Sequence, residues 1–231
     1  MTEQQATTTR PSLEPVPLAA GALGWAAMGA AAYWVVVAVA FHWIRDDLAP
    51  CCAYVSNYAR GDSEWLMQSA FVVLGFGWMA IGIAFARTLK GVRGQHWLTA
   101  FAVTAGVGLL VAGLWRTDDL DAAESSTEGM VHTVGSLIAF AGPIAFGLTA
   151  AVVLRRTVRW RSLATPNLWL AVATLALLIT YTTWATTIGD GFGWWQRLLV
   201  VLVMPGWLAW LGWQLARVPQ SRTGVWGPPT H

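Results

Sequence analysis

Residues 129–154 read GMVHTVGSLIAFAGPIAFGLTAAVVL, a run without one Asp, Glu, Lys or Arg. As a helix rising about 1.5 Å per residue it would be about 39 Å long. About 20 apolar residues are enough to cross the hydrocarbon core of a bilayer. This segment therefore reads as a transmembrane helix. Five more segments have the same character: residues 18–43, 65–86, 96–115, 167–187 and 194–216. The chain of 231 residues is 56% hydrophobic and 11% charged, where soluble proteins carry about 25% charged residues. The expectation is an all-α polytopic membrane protein, a bundle of six transmembrane helices over residues 18–216. Polar tails at 1–17 and 217–231 flank it, and no separate soluble domain fits between the spans.

The first span follows a tail with one Arg and two Glu, not a basic leader. No small-x-small cleavage site follows it in FHWIRDDLAP, so it reads as a retained helix. Charge asymmetry sets the orientation. The loops and tails on one side hold Arg10, Arg87, Lys90, Arg93, Arg155, Arg156, Arg159, Arg161, Arg217 and Arg222, ten of the fourteen Lys and Arg. The other side holds Arg45, Arg60, Arg116 and Arg197. The positive-inside rule then places both termini in the cytoplasm of a multi-pass protein of the inner (plasma) membrane. Anionic inner-leaflet lipid is partner enough for the basic loops, and nothing calls for nucleic acid.

Glycines crowd the spans: Gly21, Gly24 and Gly29, then Gly75, Gly77 and Gly82, then Gly106, Gly108 and Gly113. Small residues let helix backbones approach closely. The same faces could instead receive a second copy or another membrane protein. Pro143 and Pro205 fall inside spans and should kink them. Of the sixteen Trp, several stand at span ends as an interfacial belt. Deeper ones such as Trp34, Trp78 and Trp207 could pack or line a hydrophobic ligand. No internal repeat and no charge near a midplane supports a transporter.

Polar residues concentrate on the outer side. One loop brings Asn57 and Tyr58, and the next brings Trp115, Asp118 and Glu128. Glu128 and His132 are four residues apart and share one helix face. Gln196 and Arg197 stand at a similar depth at the start of the last span. A histidine and an arginine at the membrane boundary are expected to pair with carboxylates. One reading is a structural network pinning helices. The other is a general acid or base, His132, at the mouth of a lipid-accessible cavity, with Asp118 or Glu128 as its charged partner. Asp118-Asp119-Leu120-Asp121 lacks the spacing of a magnesium–diphosphate site. Ser125 or Ser126 with His132 lacks the strand–turn–helix elbow of a hydrolase. Cys51 and Cys52 are adjacent, which favours two free thiols, and no further ligands at metal-binding spacing stand near them. Neither metal nor cofactor is called for.

Several short motifs together carry a resemblance: Ser56-Asn57-Tyr58, Trp65-Leu66-Met67, Trp115-Arg116-Thr117-Asp118, Gly129-Met130-Val131-His132 and Gln196-Arg197. In order and spacing, over residues 21–216, they resemble the six-helix bacterial membrane proteins grouped as domain of unknown function 998. That family usually reads aromatic-Pro-Thr-Asp where Arg116 stands here. The resemblance implies six helices and an outer-face Asp/His/Gln/Arg set, and it implies no reaction. The functional expectation is a membrane enzyme acting on a hydrophobic lipid or isoprenoid-like small molecule by cyclisation, isomerisation or hydrolysis. His132, Asp118 and Glu128 would be catalytic. Arg197, Gln196, Asn57, Tyr58 and Trp115 would hold substrate. The alternative is a non-catalytic assembly partner or sensor in which this cluster is structural.

Overall fold

The computed structural model describes residues 16–119, 122–218 and 220–221. Asp121 of the acidic run and most of both tails lie outside the described residues. Among the described residues six helices are long and apolar enough to cross a membrane. They are α1 (Leu18–Ile44), α2 (Glu64–Thr88), α3 (Gln95–Leu114), α4 (Thr127–Val153), α5 (Ala164–Thr187) and a composite last span. That last span runs through α6 (Phe192–Arg197), a π-helical turn (Leu198–Val203) and α7 (Met204–Ala216). Each boundary lies within three residues of the one read from hydropathy. A two-residue pairing of Val16–Pro17 with Gln220–Ser221 ties the two ends of the helical domain together.

Each span packs on its neighbours in sequence, and the ring closes through the last span, which touches both α5 and α1. One end carries the loops after α1, α3 and α5 and most of the acids, and is called the acidic end below. The other end carries the basic loops. Large apolar side chains such as Val36, Phe76, Leu137, Trp169 and Leu202 are exposed on the flanks. Lipid is the solvent that suits such a surface.

Glycines set how closely the ring is drawn. A Cβ added to Gly108 of α3 would lie 2.4 Å from the Ala139 backbone nitrogen of α4. Gly75 and Gly106 face each other across α2 and α3, and Gly24 and Gly212 across α1 and α7. These small-residue faces are therefore filled from within the chain, whereas an added Cβ on Gly29 would meet nothing within 4 Å. In the basic half the ring interior is filled by aromatics: Trp78 packs edge-on against Phe146 and Trp207, at centroid distances of 5.9 and 5.7 Å.

The prolines behave differently from each other. α4 continues through Pro143. Pro205 is the second residue after the π-helical turn. In a π turn the Val200 carbonyl would look five residues on for its donor, and that residue is Pro205, which has no N–H. The Met204 N–H goes to the Leu199 carbonyl instead. The indole of Trp34 on α1 donates to the Val200 carbonyl at 2.7 Å and completes the pairing.

Gly108→Ala should lower the thermal midpoint in detergent by the equivalent of about 1–3 kcal/mol, the range for overpacking. Gly29→Ala should leave the midpoint unchanged or raise it. Equal losses from both variants would show that the α3–α4 approach is looser than described.

Candidate functional site

The aromatic filling stops short of the acidic end, and the ring there encloses a cavity of about 360 Å³. Trp34, Phe71, Leu74, Leu109, Phe140 and Met204 give it apolar walls. The short 3-10 helix Val55–Ala59 lies over it, contributing Val55 and Ser56 to the lining. The exposed members of the lining, Thr133 and Leu137 of α4 and Thr182 of α5, mark a lateral mouth between those two helices. α4 and α5 touch closely lower down, where Gly147 leaves no room for a side chain against Ala171. Towards the acidic end Phe140 and Tyr181 stand across the seam, with ring centroids 6.3 Å apart, and both line the cavity. A largely apolar pocket with a few convergent polar groups is the usual form of a small-molecule site.

His132 lies on this wall and is 4% exposed. Its Nδ1 stands 2.8 Å from the Ala112 carbonyl and 3.1 Å from the Trp115 carbonyl. Carbonyls only accept, so Nδ1 carries the proton and donates. In the neutral ring the lone pair then sits on Nε2, which has no hydrogen-bond partner among the described residues. The local cause is the end of α3. Its last carbonyls lack intrahelical donors, and the Val111 carbonyl takes the Trp115 N–H while the Ala112 carbonyl is left for His132.

Gln196 is 7% exposed. Its Oε1 accepts the Val55 N–H at 2.8 Å, which holds the 3-10 helix in place. That contact fixes the amide orientation and leaves the Nε2 donors for the cavity. Tyr181 is also 7% exposed, lines the cavity, and its hydroxyl has no hydrogen-bond partner among the described residues. Tyr54 lines the cavity beside it, and burial pushes its phenol up from the ordinary range, so it stays a donor.

The other residues singled out from sequence sit around this cavity, not in its wall. Arg197 is buried and donates from Nε to His42 Nε2 at 3.0 Å, and from Nη1 to the Pro50 and Ala53 carbonyls at 2.6 and 2.9 Å. Its Nη2 donates to the Tyr58 hydroxyl at 2.8 Å. Asn57 accepts the Tyr54 N–H at 2.9 Å and donates to the Asp118 carbonyl. The Asp118 carboxylate accepts from the Ser126 hydroxyl at 2.6 Å, and that hydroxyl in turn accepts the Gly129 N–H at 3.0 Å. Asp118 thus braces the N-cap of α4. Glu128 is exposed in the first turn of α4. Trp115 takes part through its carbonyl, with its ring partly exposed.

Two expectations need correction. His132 and Arg197 do not pair with carboxylates among the described residues; they serve carbonyls. The nearby acids are engaged elsewhere, Asp119 with Arg60 at 2.7 Å, Asp47 with Arg45 at 2.6 Å, and Glu64 with Arg116. Arg45 beside it holds the Asp47 carboxyl below its usual range. Cys51 and Cys52 are joined in a disulfide and are not free thiols. The bridge joins Cα atoms 3.8 Å apart, closer than the usual range of about 4.4–6.8 Å, which is why adjacency in the sequence argued against it. Asp190 comes to 2.9 Å from the Cys52 sulfur, a third potential ligand that spacing along the chain could not reveal. With the sulfurs bonded to each other, neither is a thiolate.

A family model described as "Protein of unknown function (DUF998)" matches residues 15–214. The chain belongs to the DUF998 family. The match covers the first five DUF998 helices, all but the last two residues of the sixth span, and every residue of the cavity wall. No curated protein and no solved structure matches the chain.

If Arg197 is a brace, Arg197→Met should cost at least about 2 kcal/mol, because it leaves buried carbonyls without donors at about 1–3 kcal/mol each. Glu128→Gln, at an exposed position, should stay within about 0.5 kcal/mol. Chemical or thermal unfolding of the two variants checks this, and the reverse order would contradict it.

Proposed function

We propose that this DUF998 protein is a membrane enzyme that admits a hydrophobic small molecule, a lipid or isoprenoid-like compound, through the mouth between α4 and α5. His132 acts on it as a general base. The observation that carries the reading is the pinned imidazole. Two carbonyls hold Nδ1 as a donor, so the basic lone pair on Nε2 is left on the cavity side of the ring. A proton acceptor held in one orientation needs no reorganisation when a substrate proton arrives. Gln196 offers donors to a polar atom of the substrate, and Tyr54 and Tyr181 offer hydroxyls. Asp118 and Arg197 are positioning residues, the first setting the start of α4 and the second fixing the loop above the cavity. Base-assisted cyclisation, isomerisation and hydrolysis all begin with such a proton transfer. The basic loops lie at the opposite end of the bundle, and the positive-inside tendency supports a cytoplasmic place for them. The cavity would then open to the outer leaflet.

One observation favours a second reading, a non-catalytic carrier or sensor using the same cavity. Among the described residues no carboxylate is hydrogen-bonded to His132 to stabilise an imidazolium; its Nδ1 partners are neutral carbonyls. Mass spectrometry of small molecules that co-purify in native-lipid particles separates the two. Wild type and His132→Gln are compared at matched folding. An enzyme should yield a specific hydrophobic compound that accumulates in the variant and differs from the wild-type species. A carrier should yield the same compound in both. Bulk lipid alone in both samples would contradict both readings.

A further inference from the structure

Resting on the reading of this cavity as a ligand site, we infer the chemistry of the ligand's head: it is an uncharged hydroxyl on an apolar body, an alcohol, and neither a phosphate nor a carboxylate.

Among the described residues, the wall contains no Lys, Arg, Asp or Glu. The cations nearest in the fold are engaged: Arg197 with carbonyls and Tyr58, Arg60 with Asp119, Arg116 with Glu64. An anionic head would enter a buried space with no countercharge, and unpaired buried charge is strongly disfavoured. A purely hydrocarbon ligand fails for the opposite reason. It would leave three polar side chains, each more than nine-tenths buried, facing apolar groups: His132, Gln196 and Tyr181. Their complementarity is specific. Nε2 of neutral His132 asks for a donor, while the Gln196 amide and the tyrosine hydroxyls ask for an acceptor. A carbonyl head would satisfy the second demand and not the first. One hydroxyl satisfies both, donating its proton to Nε2 and accepting at its oxygen.

Size agrees with a partly inserted ligand. An apolar cavity of about 150 Å³ holds benzene. The 360 Å³ here has room for a ring or a folded segment of chain. The remainder of a longer tail would leave past Leu137 and Thr182 into the bilayer.

The test uses a dodecanol analogue bearing a photoactivatable diazirine, applied to the full-length protein in lipid nanodiscs, with labelled peptides located by mass spectrometry. Labelling should fall on peptides covering residues 132–140 and 181–204, and Ser136→Trp, which fills the cavity, should abolish it there. Unlabelled dodecanol should displace the label at least about tenfold more effectively than dodecyl phosphate or dodecanoate at neutral pH, a difference of one decade in affinity. His132→Phe, which removes the acceptor, should narrow that preference. Cavity labelling displaced equally well by the phosphate or carboxylate would overturn the alcohol head and leave the ligand site standing. Labelling spread over lipid-facing peptides and indifferent to Ser136→Trp would overturn both.

Discussion

A carbonyl oxygen without a donor has no remedy inside a bilayer, because no water is there to supply one. That constraint places the polar side chains of this protein. Pro205 cannot donate to the π-helical turn, and the Trp34 indole donates to Val200 instead. The end of α3 exposes the Ala112 carbonyl, and His132 takes it. The loop after α1 turns its Pro50 and Ala53 carbonyls inward, and the Arg197 guanidinium meets both. Asn167 donates to Leu163 and accepts from the Trp207 indole by the same logic in the basic half. What resembles a catalytic cluster in sequence is first a set of caps. The caps leave over a second imidazole nitrogen and an amide NH₂ at the cavity, on side chains whose other ends are already committed.

The cavity follows from an uneven use of small and large residues around one ring. Where α3 meets α4, Gly108, Gly135 and Gly142 draw the helices into contact along their length. Where α4 meets α5, Gly147 does so only in the basic half, and Phe140 and Tyr181 stand across the seam at 6.3 Å in the acidic half. Tight packing on one seam and a partial gap on the next yields a lateral opening without breaking any helix. The aromatic group around Trp78 then stops the opening from running through the bundle. The arrangement suits a site filled from the membrane and finished in a polar recess.

The six spans were fully legible in the sequence, because length and hydropathy alone decide them. His132 and Gln196 were legible as polar residues one turn inside apolar segments, an expensive place that demands a partner. Their actual partners were not, since backbone carbonyls leave no trace in side-chain patterns. Arg197 read as a substrate anchor for this reason. Tyr181 and Tyr54 were missed as wall residues. A tyrosine in a span is compatible with lipid, packing or a cavity, and only the opposing helix decides among them. His42 was missed too, though its i−4 bond to Ala38 and its acceptance from Arg197 make it one of the links between α1 and the last span. The disulfide was misread because its adjacency argued for strain and not for proximity.

The account depends on which nitrogen of His132 holds the proton. Nitrogen NMR of protein labelled with ¹⁵N-histidine, in nanodiscs at neutral pH, reads this directly, and the resonances lost in His132→Gln identify the residue. The account predicts a protonated Nδ1 and an unprotonated Nε2 with the shift of a free or weakly hydrogen-bonded lone pair. A proton on Nε2 with a bare Nδ1 would contradict it, because the two carbonyls would then have no donor and the cavity no base.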